Sequence, residues 1–185
     1  GIASHQIALK LAAQHEPPKE VAEVTPPKPV SSAVQVLGVG DLVTHLARCC
    51  HPVPGDRIIG YVTRNRGVSI HREDCYNVIN EDEKDRLVSA EWGQTDSVYP
   101  VNIEVHAWDR VGLMRDITTV VAEEKVNIAS VSSVHHSDHR VSEYFTLETR
   151  GLAQLSRLLA KIEGIRGVIS VSRIGEGAKA SPSSK

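Results

Sequence analysis

Three cysteines in 185 residues are too few for a disulfide framework, and two of them, Cys49 and Cys50, are adjacent, where a mutual bridge would be strained. With that scaffold class excluded, a reducing, cytoplasmic setting is expected. An excess of charge of either sign is also lacking. Lys plus Arg number 21 against 23 Asp plus Glu, for a net charge of -2, so no global electrostatic signature of a nucleic-acid binder exists and any such signal is local. No apolar run is long enough to span a bilayer and no signal-peptide pattern follows Gly1, so a soluble fragment is expected. A Walker-type phosphate loop, an HExxH zinc motif and a GxSxG nucleophile elbow are all missing. What is there is 41% hydrophobic content, enough for two small domains with modest cores.

Punctuation along the chain marks the boundaries. Residues 1–14 carry Ile2, Ile7, Leu9 and Leu11 and read as a short helix, the end of a preceding helical region. Residues 15–35 hold Pro17, Pro18, Pro26, Pro27 and Pro29, five of the nine prolines, and read as a linker in which neither helix nor interior strand persists. Residues 176–185, with nothing large to bury, read as a disordered tail. Two domains are expected between, at 36–96 and 97–175.

The second domain has the cleaner pattern. Val101, Ile103, Val105 and Ala107 alternate with polar or exposed positions at strand spacing. Asp109, suited to N-capping, precedes Leu113, Met114, Ile117, Val120 and Val121 at helical spacing. Residues 126–134 and 140–149 are rich in β-branched and aromatic side chains around a polar turn and predict a hairpin. Leu152, Leu155, Leu158, Leu159 and Ile162 form a second helical stripe closed by Gly164 and Gly167, and residues 168–174 supply a last strand. The predicted order is βαββαβ, a ferredoxin-like antiparallel sheet with both helices on one face. With Trp108 followed by Asp109-Arg110-Val111-Gly112-Leu113, this domain resembles an ACT domain, a family of modules that bind amino acids and pair through their sheets. The resemblance implies an amino-acid site at Asp109, Val111, Gly112 and Leu113, faced by Asn127 and Ile128. Free N–H groups and the positive dipole end of a helix suit a carboxylate there. The same residue types serve equally as a helix cap and a tight turn.

The first domain is predicted as a small αββαβ unit, α+β like its neighbour. Asp41 is placed to cap a short helix bearing Leu42, Val43 and Leu46, which Pro52, Pro54 and Gly55 stop. Residues 58–63 and 68–72 predict a hairpin through Arg64-Asn65-Arg66-Gly67. The run Cys49-Cys50-His51-Pro52-Val53-Pro54-Gly55-Asp56, continued by Gly60-Tyr61-Val62-Thr63 and by Gly67 through Cys75, closely resembles the conserved-cysteine region of long RelA/SpoT homologues. That region, also called their zinc-finger or ribosome-intersubunit domain, directly precedes an ACT domain, as here. The resemblance implies that the chain is the C-terminal regulatory part of a (p)ppGpp synthetase/hydrolase, a GTP pyrophosphokinase of the bacterial stringent response whose catalytic domains lie elsewhere. It also implies docking on large-subunit ribosomal RNA beside deacylated tRNA, with a branched-chain amino acid and ACT-mediated homodimerisation as candidate inputs.

Two chemistries stand out among these residues. His71 and Cys75 are four apart and face one site if a helix begins near them, with Cys49 or Cys50 completing a thiolate–imidazole set suited to zinc. Adjacent cysteines diverge and lack the C-x2-4-C knuckle, so the alternative is a small apolar core with His71 at a strand end. Charge is segregated: Arg48, Arg57, Arg64, Arg66 and Arg72 face one acid, Asp56, before an acidic run from Glu73 to Asp96. Arginines on a hairpin, with His51 and Tyr61 for stacking, suit RNA phosphates and unpaired bases. They suit equally a solvated face paired with the acids that follow. Rival readings are a cysteine–histidine enzyme, for which no acylation motif is present, and a stand-alone amino-acid-sensing ACT regulator of metabolism, which would not need the arginine cluster.

Overall fold

The computed structural model describes residues 34–36, 42–94 and 96–175; the expected helix end at 1–14 and tail at 176–185 lie outside them. So does the linker, except that Val34 and Gln35 at its end belong to a strand. That strand is β1 (Val34–Val36), followed by β2 (Thr44–Leu46), β3 (Ile58–Val62), β4 (Val68–Arg72), a single helical turn α1 (Tyr76–Ile79), a 3-10 turn (Lys84–Arg86) and β5 (Leu87–Trp92). They build one sheet in the order β1-β5-β3-β4-β2, antiparallel except for the parallel β2–β4 pair. Val34, Ile58, Val68, Ile70 and Ala90 form its core.

In place of the helix predicted over Leu42, Val43 and Leu46, the chain forms the strand β2 from Thr44, with Leu42 and Val43 in irregular backbone before it. Three apolar residues over five positions do not separate helical from strand spacing, and β-branched Val43 and Thr44 favour extended backbone. Tertiary pairing decides: Val68 donates its N–H to the Val43 carbonyl (2.9 Å) and Ala47 donates to Ile70 (2.8 Å). The Asp41 cap lies outside the described residues. The β3–β4 hairpin forms as expected and turns at Gly67, whose φ of 75° is left-handed. A Cβ at Gly67 would sit 2.1 Å from the Val43 carbonyl oxygen, so a glycine is required on two grounds.

The second domain follows the expected order: β6 (Tyr99–Trp108), α2 (Leu113–Glu123), β7 (Asn127–His135), β8 (Arg140–Thr149), α3 (Leu152–Glu163) and β9 (Val168–Ile174). Its antiparallel sheet runs β7-β8-β6-β9, the ferredoxin-like plan. The alternating residues Val101, Ile103, Val105 and Ala107 are all buried, against Ile117 and Val121 of α2 and Leu155, Leu158 and Ile162 of α3. Asp109 does not cap α2. Gly112 holds that position, at φ 84°, while the Asp109 carboxylate faces His135 Nδ1 at 3.3 Å.

The two domains are keyed together by the loop between β2 and β3. Val53, fully buried, belongs to the hydrophobic core of the second domain although it lies in the first. Leu152 donates its N–H to the Pro54 carbonyl (2.8 Å) at the start of α3. Trp92 of β5 donates its indole N–H to the Asp56 carbonyl (3.0 Å) and meets the Tyr99 ring edge-on, with centroids 5.6 Å apart. No helix among the described residues is long and apolar enough to cross a membrane.

Candidate functional site

The cysteine pair sits on a tight turn in which His51 donates its N–H to the Ala47 carbonyl (3.0 Å). In a strand, neighbouring side chains would point to opposite faces; in a helix-like turn they are about 100° apart, which lets both thiols face one point. That point lies at the end of β4, beside His71 and the N-terminus of α1 with Cys75. The four ligand atoms of Cys49, Cys50, His71 and Cys75 all lie within 4.8 Å of one another. Cys49 Sγ is 3.3 Å from His71 Nδ1 and 3.6 Å from Cys75 Sγ, and Cys50 Sγ is 3.9 Å from His71 Nδ1. A tetrahedral zinc, with bonds of about 2.3 Å to sulfur and about 2.0 Å to nitrogen, places its ligand atoms about 3.5 to 3.8 Å apart, so the spacing fits that ion.

The surroundings fit as well. Ser69, two residues before His71 and on the same face of β4, has its Oγ 3.0 Å from His71 Nε2. With that nitrogen partnered by the hydroxyl, Nδ1 is oriented toward the thiols. Arg72 donates its N–H to Cys50 Sγ (3.4 Å). Burial pushes both the Cys49 and Cys50 thiols up from their ordinary range, and burial, with His45 nearby, holds His71 below its usual value. A neutral imidazole beside thiols that ionise only with difficulty is a poor nucleophile–base pair. A divalent cation supplies the charge that such thiolates need. A cavity of about 200 Å³, lined by the three cysteines with Arg72, Asn77 and Arg173, opens beside the cluster.

The candidate RNA-binding residues divide into two groups. Arg48, Arg57, Arg64 and Arg66 are exposed. Arg64 and Arg66 occupy the tip of the β3–β4 hairpin, at the far end of β3 from the domain junction. Arg57 lies 3.7 Å from Glu73 and Arg64 3.5 Å from Glu83, loose pairs on largely exposed side chains; Arg66 makes no ion pair among the described residues. The other two turn inward. Arg72 is held by Asp74 (Nε to Oδ1 2.8 Å), and His51 sits at the junction, accepting a bond at Nε2 from Asn102 Nδ2 (3.2 Å).

The residues expected to hold an amino acid are not together in one chain. Asp109, Val111 and Gly112 lie at the end of β6, where Val111 is fully exposed, and Leu113 is buried below them. Asn127 and Ile128 begin β7, whose register through Glu148 places them level with Pro100 at the opposite end of β6. Eight strand residues separate the two ends, about 26 Å. Asn127 donates to Glu148 Oε2 (2.8 Å). The β6–α2 loop is pinned by Arg110, which donates to Asp116 (2.7 Å) and to the Arg166 carbonyl (2.9 Å). Sequence reasoning missed Val53, Asp56 and Arg173, the junction residues, and Ser69. Of these only Ser69 carried a signal, its two-residue spacing from His71 on a strand.

Fold and cluster together define a two-domain α+β module whose thiol–imidazole set lies beside the junction of its halves. Family models for the RelA/SpoT RIS domain and for the ACT domain match residues 34–93 and 95–173. The chain is 41% identical over 145 residues, 76% of its length, to the GTP pyrophosphokinase of Escherichia coli K12. It is 40% identical over 147 residues, 78% of its length, to the bifunctional (p)ppGpp synthase/hydrolase RelA of Mycobacterium tuberculosis H37Rv. In each case it spans about a fifth (20%) of the relative. The crystal structure of the ACT domain from a GTP pyrophosphokinase of Chlorobium tepidum aligns over 42% of this chain and 100% of its own, at 20% identity and a TM-score of 0.38. The chain belongs to the RelA/SpoT family and matches the C-terminal RIS and ACT region of much longer relatives. That match supports a regulatory role, and neither of the two matching models is of a catalytic domain.

Proposed function

We propose that this chain is the sensing module of a (p)ppGpp synthetase/hydrolase, docking on ribosomal RNA beside uncharged tRNA through the arginines of its RIS domain. The observation that carries this reading is the β3–β4 hairpin. Its tip presents Arg64 and Arg66 to solvent, with ion pairs that are loose or lacking among the described residues. Guanidinium groups held this way exchange easily from water to phosphate. A zinc ion held by Cys49, Cys50, His71 and Cys75 would fix the base of the sheet from which the hairpin projects. The ACT domain is the second input, taking a branched-chain amino acid. Because Asp109 and Asn127 lie at opposite ends of one sheet, that pocket is completed by a second copy. Ligands at these sites shift a distant catalytic region only by binding one of its states better than the other.

Co-sedimentation of the parent protein with ribosomes across a salt series tests the RNA interaction. Arg64→Ala with Arg66→Ala is expected to weaken association and to flatten the log–log salt slope by about two, one for each phosphate no longer neutralised. Unchanged affinity and slope would refute it.

A further inference from the structure

Three features of the thiol cluster point past metal holding. Cys49 and Cys75 have their sulfurs 3.6 Å apart, so about 1.6 Å of closure makes a covalent bond of ordinary length. Cys49 and Cys75 both line the open cavity beside the cluster, Cys49 half-buried and Cys75 more deeply set; a small solute entering there meets the more exposed Cys49 first. Cys50 is committed differently, its sulfur accepting the Arg72 N–H, and a Cys49–Cys50 bridge would be strained.

The cluster is also built into the domain junction. His51, directly after Cys50, has a left-handed φ of 43°, a conformation that costs a non-glycine residue energy. Its carbonyl accepts a bond from Arg173 Nη2 (2.8 Å). Two residues on, Val53 is buried in the ACT core. On the other side, Gly175 lies so close to Cys49 that a Cβ there would stand 1.9 Å from the Cys49 carbonyl oxygen. Movement of the Cys49 backbone is therefore transmitted to β9 and to the loop that keys the domains.

We propose that Cys49 and Cys75 are a peroxide-sensitive dithiol whose oxidation to a disulfide loosens the RIS–ACT junction. The oxidant is a hydroperoxide. The Cys49 sulfur, reacting slowly through the small fraction of thiolate that its half-buried setting allows, attacks the terminal oxygen, breaking the O–O bond and forming a sulfenic acid with loss of water or alcohol. The Cys75 sulfur then displaces hydroxide from Cys49, and the proton from the second thiol makes water. Two electrons pass from two sulfurs to the peroxide, and reduction by a dithiol reverses the step. Where zinc is bound, the two sulfurs lose their anionic donor character and the ion is released. The proposal rests on the metal reading only for that release; the disulfide itself needs the thiols alone.

The test uses the whole chain with Trp108→Phe, so that Trp92, bonded to Asp56, is the remaining indole. Hydrogen peroxide is added to protein as purified and to protein stripped by a chelator, with thiol titration, zinc release to a colorimetric chelator, peptide mapping and Trp92 fluorescence read together. Expected are loss of two of the three thiols, a Cys49–Cys75 linked peptide in both samples, and a Trp92 emission shift that dithiothreitol reverses. Cys50→Ser should retain the linked peptide and Cys75→Ser should lose both it and the emission shift. Zinc release with no linked peptide, a peptide joining Cys50 instead, or a linked peptide with unmoved Trp92 emission overturns the proposal. Linked peptide with no zinc at the outset upholds it and sinks the metal reading alone.

Discussion

Arg173 and Asp56, 117 residues apart, form a two-pronged ion pair across the domain junction. Nη1 donates to Oδ1 (2.8 Å) and Nη2 to Oδ2 (2.9 Å), with the side chains only 13% and 7% exposed. The same carboxylate accepts the Val53 N–H (2.8 Å), so one group holds both the loop that enters the ACT core and the strand that receives it. Removing one partner of a buried pair leaves the other charge unpaired, and Asp56→Ala is expected to destabilise the chain by about 3 kcal/mol. Asp56→Leu combined with Arg173→Met should recover most of that loss. Denaturant unfolding of the two singles and the double checks both; singles that cost nothing would remove the pair from the account.

Because Val53 is fully buried in the second domain's core, the two domains are expected to unfold as one. Calorimetry should show a single transition for the native chain. Val53→Ala, which deletes two buried methyl-sized groups, should lower stability by about 2 kcal/mol and shift the transition of both domains. Two separate transitions, with only one moved by the substitution, would show that the loop does not couple them.

For the cysteine cluster the expectation is one zinc per chain in protein purified without chelators, measured by elemental analysis. Chelation or Cys75→Ser should lower the melting temperature and leave the ACT sheet folded. Ser69→Ala, which frees His71 Nε2, should weaken zinc retention by about tenfold or more while preserving the fold. Zinc well below one per chain in fully reduced protein would remove the site.

Amino-acid binding to the ACT domain should depend on pairing of chains, given that Asp109 and Asn127 lie at opposite ends of the sheet. Calorimetric titration with valine or isoleucine is expected to give stronger apparent affinity as protein concentration rises, in step with dimer formation seen by sedimentation. Binding that is independent of concentration in a monomer would contradict this.

How much of this was legible in the sequence depended on the range of the interactions involved. The ACT elements were, because Val101, Ile103, Val105 and Ala107, and the leucines of α3, bury at periods that report a single covered face. The β2 strand was not: its three residues take their conformation from β4, 24 residues away, and local spacing at Leu42–Leu46 is silent about that neighbour. Capping at Asp109 failed for a related reason, since Gly112 takes the left-handed position and His135 engages the carboxylate. The cysteine cluster was visible as a residue set, but the turn that lets adjacent thiols converge was not. The junction through Val53, Asp56 and Arg173 was hidden altogether, because a valine between two prolines looks like loop and an arginine in a terminal strand looks like surface.

The most direct measurement places a photoreactive benzophenone amino acid at Asn65, between the two tip arginines and leaving both intact, in the parent protein bound to ribosomes carrying deacylated tRNA. The predicted result is crosslinking to large-subunit RNA from position 65 and none from a control label at Glu123, on the far end of α2. Association with ribosomes that yields no RNA adduct from position 65, or equal adducts from both positions, would contradict docking through this hairpin.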